Sequence, residues 1–315
     1  MRGHEDTVRC GVHSGQQYQT FDDVLDLWQR AEDAGYDWVS VFDHLRPHLF
    51  GPDGPCFEGP TLLAALAART RRVRCAILVS AASWRHPALL ANIASTIDHI
   101  SGGRVELGLG AGGFDLGHAQ YGMPFPRAAE RLRRLDETCQ VIRRLWERPV
   151  ADFEGEHYHL REAHLRPRPV QSRLPLTIGG SGERHLLRIV AAHADTWNTL
   201  VTTPDTYAAK REVLAAHARD LGRDPTQIRG SLTFRAVLGD DRREVAARRA
   251  RIAATVPDDL SEYAVFGTPE ECVEQLTPYL RLGVRDFLLG LRPPVDHRTL
   301  DLFAERVAPV LRASL

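Results

Sequence analysis

Lysine is almost missing: Lys210 is the only one among 40 basic residues, a skew that reads as coding bias before it reads as function. Acidic residues number 41, so neither sign is in surplus. That argues against nucleic acid or an anionic membrane as the main partner. The five cysteines, Cys10, Cys56, Cys75, Cys139 and Cys272, are scattered and form no CxxC pair. A disulfide framework and a structural zinc are therefore not expected, and a reducing cytoplasm is. No apolar run approaches the roughly 18 residues of a membrane helix. The first residues, "MRGHEDTVRC", hold no apolar stretch, so neither a membrane span nor a signal peptide is expected. No GxSxG surrounds Ser14, Ser80 or Ser181, which argues against a hydrolase triad. No HxH or HExxH spacing accompanies His44, His48 and His86, and no metal is expected.

What is present is an alternation of short apolar strands and amphipathic helices. "RCGVHSG" reads as a strand, followed by a helix with Val24, Leu27, Trp28 and Ala31 at the helical period. Thr20 and Asp23 form a capping box at its start, and Gly35 stands at its end. "DWVSVFDH", "RVRCAILVS", "GRVELGLGAG", "LPLTIGG", "DTWNTLV", "GSLTFRAVLG" and "VRDFLLGL" are the remaining strands, each followed by a helical segment. A second capping box, Thr268 to Glu271, opens a helix before the last strand. Residues 150–172 break the rhythm: "FEGEHYHL" reads as a hairpin and "RPRPVQ" as an extended return. Eight strand-helix units without a linker predict one α/β domain over 1–315, a (β/α)8 TIM barrel with 150–172 as an insertion. A doubly wound sheet is the alternative.

In such a barrel the site lies at the carboxyl ends of the strands. There the sequence places His13 and Ser14, Asp43 and His44, Ser80, Gly110 to Gly113, "IGGSGE", Trp197 and Asn198, and Arg235. The glycines of "DHISGGRVELGLGAGG" run along a strand and into a loop of about a dozen residues. A dinucleotide-binding turn would pass straight into a helix. Gly108 fits a crowded barrel interior, whereas Gly112 and Gly113 at the rim let something flat approach the backbone. In "IGGSGE" a helix is expected at once after Gly179 and Gly180, which makes an anion site with Ser181 adding a hydroxyl; a plain tight turn is the alternative. His44 can exchange a proton at neutral pH, or be a packed histidine with no catalytic part.

"VFDH", "RHPALLANIASTIDHISGGRVELGLGAGG", "YGMPFP", "FEGEHY", "RPRPVQ", "PLTIGGSGERHLLRIVAAHADTWN" and "GTPEECVEQL" resemble the luciferase-like monooxygenase superfamily, in that order and over nearly the whole chain. Within it the chain resembles the branch that uses the deazaflavin F420; FMN-using relatives share much of the pattern. The resemblance implies a bacterial-luciferase-like barrel with a flavin-like ring at its carboxyl end. It puts His44 beside the ring's reactive edge and Asp43 holding the ring or orienting that histidine. It puts a non-proline cis peptide, placed by position at Ile77–Leu78, against the ring, Ser80 near it, and the phosphate on Gly179, Gly180, Ser181 and Gly182. Where "GLGAGW" is common this chain has Gly113, with Phe114 next, so the substrate pocket is expected to differ in shape. Trp84, His118 and Trp197 are candidate pocket walls or simple packing.

Three functions follow as expectations. The first is an F420-dependent oxidoreductase moving a hydride to or from a small organic substrate, with His44 managing the proton. The second is an FMN-dependent monooxygenase fed reduced FMN by a reductase in trans, because no NADPH-binding motif is present. The third is a barrel that binds flavin or F420 without turnover. The resemblance also implies a homodimer. The loop "RPHLFGPDGPCFEG", residues 46–59, reads as a lid or a dimer contact.

Overall fold

A computed structural model describes residues 7–47, 51, 53–113, 115–255 and 264–314. Strands β1 (Arg9–Ser14), β2 (Trp38–Val41), β3 (Arg74–Ala81) and β4 (Val105–Gly110) come first. A hairpin, β5 (Ala151–Glu154) and β6 (His159–Ala163), precedes β7 (Leu176–Gly179), β8 (Thr196–Leu200), β9 (Arg229–Leu238), β10 (Ala264–Gly267) and β11 (Val284–Leu291). The order β9-β11-β1-β2-β3-β4-β7-β8 closes through a β8–β9 pairing into an eight-stranded barrel. Its pairings are parallel. The expected (β/α)8 barrel is thus observed, and the antiparallel hairpin falls within the expected insertion. Strand β10, which the sequence reading missed, pairs with β9 outside the barrel.

Helices α1 (Phe21–Asp33), α2 (Gly59–Arg69), α3 (Pro87–Ser101), α4 (Asp115–Gln120), α5 (Ala128–Glu147) and α6 (Leu186–His193) cover the first strands. They are joined by α7 (Pro204–Asp220), α8 (Arg242–Thr255), α9 (Pro269–Arg281), α10 (His297–Leu302) and α11 (Ala308–Ala313), the last two linked by a π turn. Local signals account for several ends. The capping boxes at Thr20–Asp23 and Thr268–Glu271 both form, each satisfying two backbone N–H groups that the helix leaves over. Helix α1 buries Val24, Leu25, Leu27, Trp28 and Ala31 on one stripe. Each large side chain so buried contributes about 1.5–3 kcal/mol. The loop after β4 holds the short α4, where the sequence suggested only coil.

Alternation along the strands builds the barrel interior in layers. On β1, Cys10 and Val12 join the outer core, while Arg9, Gly11 and His13 turn inward. The lowest layer is ionic. Arg9 donates to Asp286 at 2.8 and 2.7 Å and to Glu106 at 2.7 Å; Arg74 pairs with Glu106, and Arg229 with Asp286 at 2.7 Å. Burial pushes the Glu106 pKa up, but Arg9 and Arg74 outweigh it and hold it at about 2. Above this floor lie Trp38, Ala76, Leu78 and Leu288. The polar layer beneath the mouth includes Ser40 and Asn198, whose amide donates to Ser231 at 2.9 Å and Thr233 at 3.0 Å.

Candidate active site

A cavity of about 400 Å³ opens at the carboxyl ends of β2, β3, β4 and β7. Asp43, His44, Val79, Ala81, Trp84, Gly110 to Gly113, His118, Arg131, Gly179, Gly180 and Gly182 are among its lining residues. The structure therefore brings together Asp43, His44, Gly112, Gly113, Gly179, Gly180, Gly182, Trp84 and His118 as the sequence proposed.

Asp43 is fully buried and its carboxylate is saturated. It accepts from the Ser80 hydroxyl at 2.5 Å and from both ends of the Arg85 guanidinium, which also bridges to Glu58. Burial alone would lower the Arg85 pKa, but Asp43 and Glu58 reverse that and raise it. Arg85 and Glu58 were not foreseen. The available signal was physical: a buried aspartate at a strand end requires a counter-charge. Ser80 accordingly serves Asp43.

His44 follows on the chain, its ring 4.8 Å from that of Phe42. Burial lowers its pKa, and the Asp43 charge only partly opposes this. The imidazole is therefore neutral at pH 7 and can accept a proton. His13 on β1 shares a 2.9 Å hydrogen bond with Ser40. Burial, then the nearby His44 and Arg235, pull its pKa to about 4.

The cis peptide lies at Leu78–Val79, one residue beyond the expected Ile77–Leu78. It sits where the β3–β4 register shifts, between Ile77 and Ser80. Ile77 packs into the outer core and Leu78 onto Trp38, so Val79 is the side chain that reaches the cavity. Gly110 and Gly179 make room for it: a Cβ on either would lie 2.8 or 2.9 Å from a Val79 methyl. Gly108 faces the Ile77 carbonyl at 2.3 Å by the same measure, the crowded-interior reading. Gly112 turns the chain at φ 78°, a left-handed conformation that favours glycine. A side chain on Gly113 would enter open space. Phe114 and His48 lie outside the described residues.

After β7 the chain does not enter a helix at once. Gly180, at φ 126°, donates its N–H to Asn198 O at 3.0 Å, and α6 starts only at Leu186. The N–H groups of Ser181, Gly182 and Glu183 make no hydrogen bond among the described residues. These three successive donors are exposed and left to solvent. Beside them Lys210 donates to Ser181 O at 3.1 Å and pairs with Glu183 at 2.8 Å.

Trp84 and His118 stack at 4.0 Å and 11°, with Phe125 4.9 Å beyond and the Arg131 guanidinium 4.0 Å over Phe125. Trp197 is not a pocket wall but takes the packing alternative: it faces out of the barrel, fully buried, its ring stacked on Tyr207 and its indole N–H donating to Gly180 O at 2.7 Å. Its neighbour Asn198 takes the inward position, as alternation requires. No group of metal-ligating side chains occurs among the described residues. No helix among them is long and apolar enough to cross a membrane.

Eight parallel strands with a glycine-walled slot and a histidine at the carboxyl mouth describe the luciferase-like barrel, and the chain belongs to that family: the luciferase-like monooxygenase model matches residues 5–257. More particularly, it is 29% identical to the F420-dependent glucose-6-phosphate dehydrogenase of Nakamurella multipartita, over 97% of each chain. An F420-dependent secondary alcohol dehydrogenase, solved with an F420-acetone adduct, superposes with a TM-score of 0.83 at 23% identity, covering 97% of this chain and 99% of that one. A riboflavin lyase solved with modified FMN and riboflavin gives 0.84 at 18%, covering 98% and 92%.

Proposed function

We propose that the protein is an F420-dependent oxidoreductase that moves a hydride between the deazaflavin and a small organic substrate. The observation that carries this is the slot itself, with neutral His44 at the edge of a wall that Gly110, Gly112 and Gly113 leave without side chains. The residues fit a tricyclic ring bearing a phosphate. Val79 projects into the slot, and the free N–H groups of Ser181, Gly182 and Glu183 suit a phosphate. The names of the curated relatives support F420 as the ring.

Bound F420 would supply two-electron hydride chemistry. The chain's own part is placement and proton transfer. Oxidation of an alcohol carbon releases a hydride from carbon and a proton from oxygen. Neutral His44 is the base for that proton, and the reverse reaction takes it back. Asp43, fixed by Ser80 and Arg85, holds the backbone that presents His44. Trp84 and His118 wall the slot on the substrate side.

A second reading is an FMN-dependent monooxygenase, favoured by the fold shared with the FMN-containing riboflavin lyase. It calls for a reductase in trans. Titration of the purified protein with F420 and with FMN, each oxidised and reduced, followed by fluorescence, separates the two. Micromolar or tighter binding of F420 alone is the expected result; binding of FMN alone overturns it.

A further inference from the structure

His13 is a second imidazole at the mouth of the barrel, and the proton transfer proposed for His44 leaves it unused. It points inward from β1, level with Ser40 on β2 and Gly290 on β11. Below this level Trp38 and Leu288 fill the barrel. His13 is nevertheless only half-buried, so the surface it keeps faces the carboxyl mouth. Gly290 helps to keep that face open. A Cβ there would stand 3.5 Å from Cγ of Arg235, so the stem of Arg235 passes over the glycine in place of a β11 side chain.

The two ring nitrogens of His13 differ in what they have left to offer. Nδ1 lies 2.9 Å from the Ser40 hydroxyl. That hydroxyl has one proton and donates it to the Val12 carbonyl, which can only accept, at 3.4 Å. Ser40 therefore accepts from the Nδ1–H of His13. Burial, with the charges of His44 and Arg235, keeps the ring neutral. A neutral imidazole carries one N–H, so Nε2 is left with a lone pair. Nε2 has no hydrogen-bond partner among the described residues, and it is not shut away from solvent as the indole N–H of Trp38 below it is. It is an acceptor fixed in place by Ser40, with no protein donor to serve it.

We infer that His13 sets substrate specificity: its Nε2 accepts a hydrogen bond from a hydroxyl that the substrate carries on the carbon next to the one exchanging hydride. The inference rests on the oxidoreductase reading and deepens it. His44 takes the proton of the reacting hydroxyl, and His13, close enough for the two imidazole charges to interact, receives the neighbouring hydroxyl. A vicinal diol satisfies both rings. A simple secondary alcohol satisfies one and sets apolar atoms against the lone pair of the other, which loses its water without replacement.

Two measurements test this. The first uses neither cofactor nor turnover. Nitrogen-15 NMR of the intact protein labelled at histidine, with His13→Gln identifying the signal, is expected to show Nδ1 protonated and Nε2 bare. Propylene glycol should move the Nε2 resonance, and isopropanol at the same concentration should not. A protonated Nε2, or a response that fails to distinguish the two alcohols, overturns the inference. The second is F420 reduction by the same two alcohols. The diol is expected to have a kcat/KM about tenfold higher, the worth of one neutral hydrogen bond, with the difference in KM. His13→Leu should bring the two alcohols within about twofold of each other, and His13→Gln, which keeps an acceptor, should restore part of the gap. A gap that survives His13→Leu overturns the role of His13 and leaves the F420 reading standing. If neither alcohol reduces F420, the NMR comparison decides on His13 and the cofactor titration decides on F420.

Discussion

Asp43 and Arg85, 42 residues apart in sequence, form a bidentate ion pair behind His44, with Asp43 fully buried and Arg85 partly buried. Such a pair matters most when half of it is removed, because the remaining charge stays buried without a partner. Arg85→Ala is expected to cost about 3–5 kcal/mol of stability in urea unfolding. Ser80→Ala, which removes a single hydroxyl from the same carboxylate, is expected to cost about 1–2 kcal/mol. Losses below that level for Arg85→Ala would show that Asp43 is solvated through the cavity.

His44→Ala should separate chemistry from binding. Turnover is expected to fall by about 10²–10⁴, the usual contribution of a positioned acid-base group, with cofactor affinity changed only a few-fold. Steady-state kinetics and the same fluorescence titration measure the two. Turnover within a few-fold of wild type would remove His44 from its role.

The two ends of the glycine wall should respond differently. A Cβ at Gly179 meets a Val79 methyl at 2.9 Å, whereas one at Gly113 meets nothing. Gly179→Ala is expected to destabilise by about 1–3 kcal/mol through overpacking. Gly113→Ala should stay within about 0.5 kcal/mol, as surface changes do. Gly113→Trp should leave stability in place and raise KM for bulky substrates by filling part of the slot, which a substrate panel would show.

Acid should begin to weaken the fold from about pH 6.5 downward, through His13. The His13 pKa is about 4 in the folded protein against an ordinary 6.5. Below 6.5 the unfolded chain binds a proton that the folded one refuses, so stability falls as pH drops from about 6.5 toward 4 and this loss then levels off. The contribution is about 3 kcal/mol. His44, also lowered, acts in the same direction. Glu106, held at about 2, contributes in the lower window, from 4.5 down. His13→Gln should flatten the upper part of a plot of urea midpoint against pH; an unchanged slope would assign it elsewhere.

Features encoded by neighbouring residues were legible. The capping boxes at Thr20 and Thr268, the strand bodies and the Asp43-His44 pair at a strand end all needed only a few adjacent positions. Features set by register or by distant pairing were not. The cis bond came out one residue early because the slip between β3 and β4 has no local mark. Arg85 meets Asp43 only once the barrel closes. Alternation decides between the two readings of Trp197, since Asn198 beside it takes the inward position. Strand β10 pairs only with β9, outside the eightfold strand-helix alternation by which the other strands are recognised.

The ionic layer of Arg9, Arg74, Glu106, Arg229 and Asp286 closes the amino end of the barrel, and Trp38 and Leu288 seal it from above. Among the described residues the cavity thus opens at the carboxyl end alone of the two ends of the barrel. Whatever enters over Gly113 must leave the same way, so a spent product stands in the path of the next substrate. On the proposed reading, release of product past that rim, as much as the proton transfer proposed for His44, would set the pace of repeated turnovers.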